Sequence, residues 1–141
     1  MEKPEHSPHY EYGLADPEDG RTWRRSIYRF IVRSQTQPWM TALDCADPSM
    51  RVDKRNESLS PLQALALLND KFMVAMAAGF ATRLDAECSS AEQKIQTAFR
   101  ECLGRSPAPS EKQELLEFAQ RDGLPNTCRL LFNLNEFIFV D

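Results

Sequence analysis

A chain of 141 residues is long enough for one ordinary core and too short for two. A hydrophobic share of 42% marks it as globular rather than disordered, and 17 basic against 21 acidic residues leave a net charge of −4. That balance argues against nucleic acid or an anionic membrane as the main partner, because both select a clustered positive surface.

Residues 1–20 are polar and broken by Pro4, Pro8, Gly13, Pro17 and Gly20, which predicts an irregular arm draped on the core by Tyr10 and Tyr12. The only histidines, His6 and His9, lie in this arm, where Pro8 opposes the helix that would pair them on a metal. No apolar segment opens the chain, so it shows no export signal, and it is expected in the cytoplasm if it stands alone. Next, Thr22 is positioned to cap a helix with Trp23, Ile27, Phe30 and Ile31 on one face. Arg24, Arg25, Arg29 and Arg33 cover much of the rest, a pattern better suited to pairing with acidic neighbours than to binding phosphate. Gln37-Pro38-Trp39 is expected to end that helix, since a residue before proline is pushed out of the α region.

From Met40 to Leu59 the chain is charged with alternating sign and broken by Pro48, which predicts a long ordered loop. Its charged groups either lock the loop to the helices or line a cleft for a polar ligand. Trp39, Asp44, Asp47, Arg51, Asp53, Arg55 and Glu57 are the candidate ligand- or partner-binding residues. Asn56-Glu57-Ser58 matches the glycosylation triplet, a motif too frequent by chance to carry weight.

The strongest folding signal begins at Ser60-Pro61-Leu62-Gln63. Ser60 can accept from the Gln63 N–H, the Gln63 side chain can reach back, and Pro61 sits where a missing N–H costs nothing. Leu62, Leu65, Leu68, Phe72, Met76, Phe80 and Leu84 then recur at helical spacing, with a break expected at Asn69-Asp70. Alanines 64, 66, 75, 77, 78 and 81 would let neighbouring helices approach closely, and Met73 and Met76 read as packing rather than metal ligands. Ser90 with Gln93 opens another helix, bearing Ile95, Ala98, Phe99, Cys102 and Leu103 and closed by Gly104. After Pro107-Ala108-Pro109, Ser110 with Gln113 opens a further one with Leu115, Leu116, Phe118 and Ala119, ended by Gly123. Pro125-Asn126-Thr127 begins the last, which buries Leu130, Leu131 and Leu134, and the apolar tail from Phe137 is expected to dock.

The predicted fold class is therefore all-α: a single-domain, orthogonal, irregular bundle of about five helices. It carries a long polar loop, with an irregular arm over 1–20 preceding a helical domain over 21–141. Cys45, Cys88, Cys102 and Cys128 form no C-x-x-C pair and are expected to be unpaired, buried thiols. Glycine-rich phosphate loops, H-E-x-x-H and G-x-S-x-G are absent, so no residue is assigned as catalytic and none as a metal ligand. The weak carboxylate pair Asp44 and Asp47 keeps one alternative open, a carboxylate-based hydrolase or lyase using the 44–57 loop.

Several segments taken together resemble a known family: Arg24-Arg25-Ser26-Ile27-Tyr28-Arg29-Phe30, Leu43-Asp44-Cys45-Ala46-Asp47-Pro48-Ser49, Lys54-Arg55-Asn56-Glu57, and the run from Ser58 to Leu65 with Leu68-Asn69-Asp70. Leu103-Gly104-Arg105 and Asn133-Leu134-Asn135-Glu136-Phe137 add to the likeness. The chain is similar to a truncated C-terminal portion of the planctomycete domain of unknown function 1553, which is found with planctomycete cytochrome c domains. The resemblance implies an exported, multidomain, haem-linked setting, with polysaccharide breakdown as a connected process. The partners it implies are other domains or proteins of such a system. It assigns no haem ligand here, because the C-x-x-C-H site is missing, so no cofactor is expected in this chain and the resemblance allows haem only in a separate or fused domain. A noncatalytic accessory or interaction module is the expected function.

Overall fold

Every regular element among the described residues is helical, as the all-α expectation requires. The computed structural model describes residues 11–23, 25, 28, 32, 36–45, 50, 51, 53 and 60–138. They fall into two compact units, Met1–Ser60 and Pro61–Asp141.

In the first unit, the sequence places a helix start at Thr22, but Thr22 instead ends a short 3-10 turn, Gly20–Thr22. Asp19 caps that turn by accepting from the Arg21 N–H at 3.0 Å, and its carboxylate also grips the Arg21 guanidinium at 2.8 Å. Ile27, Phe30 and Ile31, the rest of that predicted apolar face, lie outside the described residues. Another 3-10 turn, Tyr12–Leu14, places the Tyr12 hydroxyl to accept from the Val32 N–H at 2.9 Å. The helix that Gln37-Pro38-Trp39 is expected to end lies largely outside the described residues; Pro38 itself opens a helix, α1 (Pro38–Ala42), with Gln37 as N-cap and its side-chain oxygen accepting from the Met40 N–H at 2.5 Å. Both effects of proline operate here: Gln37 is held extended, at φ −89° and ψ 115°, and Pro38 takes the first helical position.

The second unit contains α2 (Pro61–Asn69), α3 (Lys71–Glu87), α4 (Ala91–Leu103), α5 (Pro109–Asp122), α6 (Leu124–Leu131) and α7 (Asn135–Ile138). The break between α2 and α3 falls where the sequence puts it. Asp70 adopts extended backbone and its carboxylate accepts from the Phe72 N–H at 2.8 Å, so the chain restarts as a new helix bent 51° from the last. The buried stripe is displaced from the predicted one. Met73, Ala77, Ala81 and Leu84 are buried on α3, whereas Phe72, Met76 and Phe80 flank them half-buried. Leu62 and Leu65, expected inside, are exposed at 63% and 55%. α3 makes its most extensive contact with α6, and Ala77 and Ala81 share a buried cluster with Cys128 and Leu131 of that helix; small side chains there let two helices approach closely.

The core joins Ala77, Ala81 and Leu84 of α3 to Ile95, Ala98 and Phe99 of α4, Leu115 of α5, and Cys128 and Leu131 of α6. Thr127 is the buried polar residue among them, and its hydroxyl donates to the Gly123 carbonyl at 3.0 Å. The start of α4 matches expectation only in half: the Ser90 hydroxyl accepts from the Gln93 N–H, but the Gln93 side chain turns to the Ser89 hydroxyl at 3.0 Å. Gly104 closes α4 with φ of 71°, the left-handed backbone that glycine tolerates. At α5 the cap is Ala108 rather than Ser110, because Pro109 occupies the first helical position and Glu111 accepts from the Ala108 N–H at 2.7 Å. Of the apolar tail, Phe139, Val140 and Asp141 lie outside the described residues, and Phe137 is exposed at 37%. Phe132 stacks on Phe80 at 5.9 Å and meets Phe137 at 5.2 Å between centroids.

If Ala81 lies at the α3–α6 contact, enlarging it overpacks the core. Ala81→Leu should cost about 1–3 kcal/mol, while Ala78→Leu, one turn back on the exposed side, should change stability by less than about 0.5 kcal/mol. Urea unfolding of both variants checks the register; equal costs would place the contact elsewhere.

Candidate functional site

Of the seven residues picked out in the polar segment, Asp47, Arg55 and Glu57 lie outside the described residues. Trp39 is half-buried on α1, while Arg51 and Asp53 are exposed. Asp44 is the informative one. Its φ is 54°, the one positive value on a non-glycine among the described residues. The Asp44 N–H donates to the Thr41 carbonyl at 3.2 Å and the Cys45 N–H to the Met40 carbonyl at 2.9 Å. These two bonds form the Schellman closure of a helix, with Asp44 in the left-handed place that glycine or asparagine usually takes. Aspartate is among the few side chains that tolerate this backbone. The residue that sequence reading marks as a carboxylate for chemistry thus has a folding reason to be where it is.

In the second unit the charged side chains work as struts between helices. Arg83 of α3 reaches Glu101 of α4 at 2.5 Å, Lys94 of α4 reaches Asp85 of α3 at 2.7 Å, and Lys112 of α5 reaches Glu92 of α4 at 2.6 Å. The Lys112 ammonium holds the Glu92 carboxyl below its usual range. Arg105 is the densest node. It grips Glu111 at 2.8 Å and Glu136 at 2.9 Å while its guanidinium lies 4.8 Å over the Phe99 ring, tying the α4–α5 connector to α7. The Arg105 hydrogen bond, with the Ala108 N–H second, pulls the Glu111 carboxyl from 4.5 down to about 2. All four cysteines are unpaired, as expected, though only Cys128 is fully buried. Burial raises the Cys102 thiol to about 11 and the Cys128 thiol to about 12, so both stay protonated at neutral pH.

A small cleft of about 290 Å³, open to solvent, lies where α5 and α6 meet the end of α2. Leu68, Phe118 and Leu130 give it apolar walls; Arg121, Asp122, Asn126 and Arg129 give it polar ones. Arg129 donates from Nε to the Leu68 carbonyl and from Nη2 to Asn69 Oδ1 at 2.6 Å, so it caps the last turn of α2 from the side. Arg121 pairs with Asp122 at 2.7 Å and lies 5.4 Å over the Phe118 ring, and Asn126 Nδ2 donates to the Asp122 carbonyl at 2.8 Å. Sequence reasoning missed this cleft. The break at Asn69-Asp70 announces that the carbonyls ending α2 need a donor, but nothing local says the donor is Arg129, sixty residues on.

These observations define a class: a domain that is all-helical among the described residues, with ion-pair struts between its helices and a small amphipathic cleft. Within that class the chain belongs to PSD1, a family described as protein of unknown function (DUF1553), whose family model matches residues 1–119. The match takes in the polar segment and runs into α5, stopping before α6 and Arg129. Neither the curated proteins nor the solved structures gave a match.

The Glu111 carboxyl sets the sign of an acid response. Because its folded pKa lies below the unfolded 4.5, its contribution is present above that value and is lost as pH falls toward about 2. Melting temperatures between pH 5 and pH 2, on the order of the span that the two pKa values bracket, should fall less steeply for Glu111→Gln than for the unaltered chain. Parallel curves would mean that the pair contributes nothing to folding.

Proposed function

We propose that this chain is a noncatalytic helical accessory module that holds a recognition surface in fixed shape for another domain or protein. Asp44 carries the proposal: its backbone closes α1, and that duty accounts for its position without any chemistry. The struts around Arg83, Lys94, Arg105 and Lys112 support it further, since they commit carboxylates of the second unit to linking helices. The module needs no cofactor of its own. Its partners are other components of a multidomain, cytochrome-associated system, which is the setting that the family resemblance implies.

Asp44 also supplies the test. As a helix-closing residue it should be replaceable by glycine, with stability unchanged to within about 0.5 kcal/mol, whereas Asp44→Ala should cost about 1 kcal/mol. Reducing-sugar release from a panel of polysaccharides should be nil for the unaltered chain and for both variants. Turnover by the unaltered chain that vanishes in Asp44→Gly would instead make the 44–57 segment the active site of a hydrolase or lyase.

A further inference from the structure

Arg129 is the one half-buried cation among the described residues of the second unit that no carboxylate pairs. Arg83, Lys94, Arg105, Lys112 and Arg121 all have acidic partners. Lys71 and Arg100 lack one, but both stand exposed to water, which neutralises a lone charge cheaply. Arg129 has neutral acceptors only, the Leu68 carbonyl and Asn69 Oδ1, and it borders a cleft whose other walls include Leu68, Phe118 and Leu130. A half-buried guanidinium whose acceptors are neutral still has its charge to offer, and an incoming anion gains a charge-assisted hydrogen bond there. We propose that this cleft binds a short segment of a partner protein in which a large apolar side chain is followed by an aspartate or glutamate. The apolar side chain fills the space between Phe118 and Leu130, and the carboxylate pairs with Arg129.

Charge and size narrow the occupant. The rim holds Arg121, Asp122 and Arg129, a net charge of +1, which one carboxylate balances. A phosphate carrying nearly two charges would be left with an excess beside the Asp122 carboxylate. A volume of about 290 Å³ sits at the lower end of ligand pockets, enough for one side chain and its neighbouring acid. The inference rests on the accessory-module reading and names the site and partner chemistry for it.

The experiment is an amide-shift titration of the full ¹⁵N-labelled chain with a blocked Gly-Leu-Glu-Gly peptide. Its Leu-Gln and Ala-Glu counterparts and sodium acetate serve as comparison probes. The expected result is saturable shifts at Asn69, Asn126, Arg129 and Leu130, with a Kd of about 0.1–1 mM. Binding should be about tenfold weaker for each altered peptide, and acetate should not reproduce the shifts. Arg129→Gln should bind the Leu-Glu peptide about tenfold more weakly and lose the preference for Glu over Gln. Should that variant unfold, the peptide comparison on the unaltered chain still decides, and Arg129→Lys should keep the preference. The proposal is overturned by no shift at millimolar peptide, by shifts centred away from the cleft, by equal response to Leu-Glu and Leu-Gln, or by acetate acting as well as the peptide. Any of these would leave the Asp44 results, and the module reading, where they stand.

Discussion

The second unit depends on how close α3 and α6 can come. Ala77 and Ala81 present only methyl groups along their line of contact, and Cys128 and Leu131 fill the space opposite. Dispersion between packed side chains falls off steeply with separation, so a gap of even half an ångström forfeits a sizeable part of it. Close approach is therefore what lets short helices, α6 among them at eight residues, hold together. Leu84, Ile95 and Phe99 complete the same core from α3 and α4. Each such side chain contributes roughly 1.5–3 kcal/mol of burial, enough to set the register of its helix.

The polar groups follow from that packing. Once the helices are side by side, each end leaves N–H or carbonyl groups in need of partners, and residues on neighbouring elements provide several of them. Glu111 shows the economy well, serving both as acceptor for the Ala108 N–H and as counter-charge for Arg105. Arg105 in turn reaches Glu136, so one exposed guanidinium fixes a connector and the following chain together. A single surface ion pair is worth little, but a guanidinium held at two carboxylates and a ring loses less freedom with each added contact.

Much of this was legible in the sequence where the cause is local. The break at Asn69-Asp70, the Ser90 cap, and the left-handed glycine at 104 are each decided by residues within one turn. Local rules also misled. Ser110-Gln113 has the form of a capping box, but Pro109 had already taken the first helical position. Leu62 and Leu65 fit a helical stripe and yet face outward, because periodicity identifies a face without saying whether anything packs on it. Along α3 two stripes one residue apart were both apolar, and only the partner helix selects the alanines over the aromatics. The site was least legible of all. Asp44 was visible as a residue type, but its role sits in a backbone angle; Arg129 matters through contacts made across sixty residues of chain.

Asp44 and Arg129 illustrate how a fold's own needs bear on inferring function. A residue whose place is set by its backbone needs no chemistry to explain that place, and for Asp44 the closure of α1 sets it. Arg129 differs because its duty is incomplete. Capping the end of α2 calls for donors, which an asparagine or lysine could also provide, whereas the delocalised charge of a guanidinium exceeds that requirement. The other half-buried cations of the unit, Lys94 and Lys112, have their charge answered by a carboxylate. The unanswered one borders a cleft with apolar walls. Charge beyond what folding uses, held where water only partly screens it, is what distinguishes a place built to receive something from a place that is only well packed.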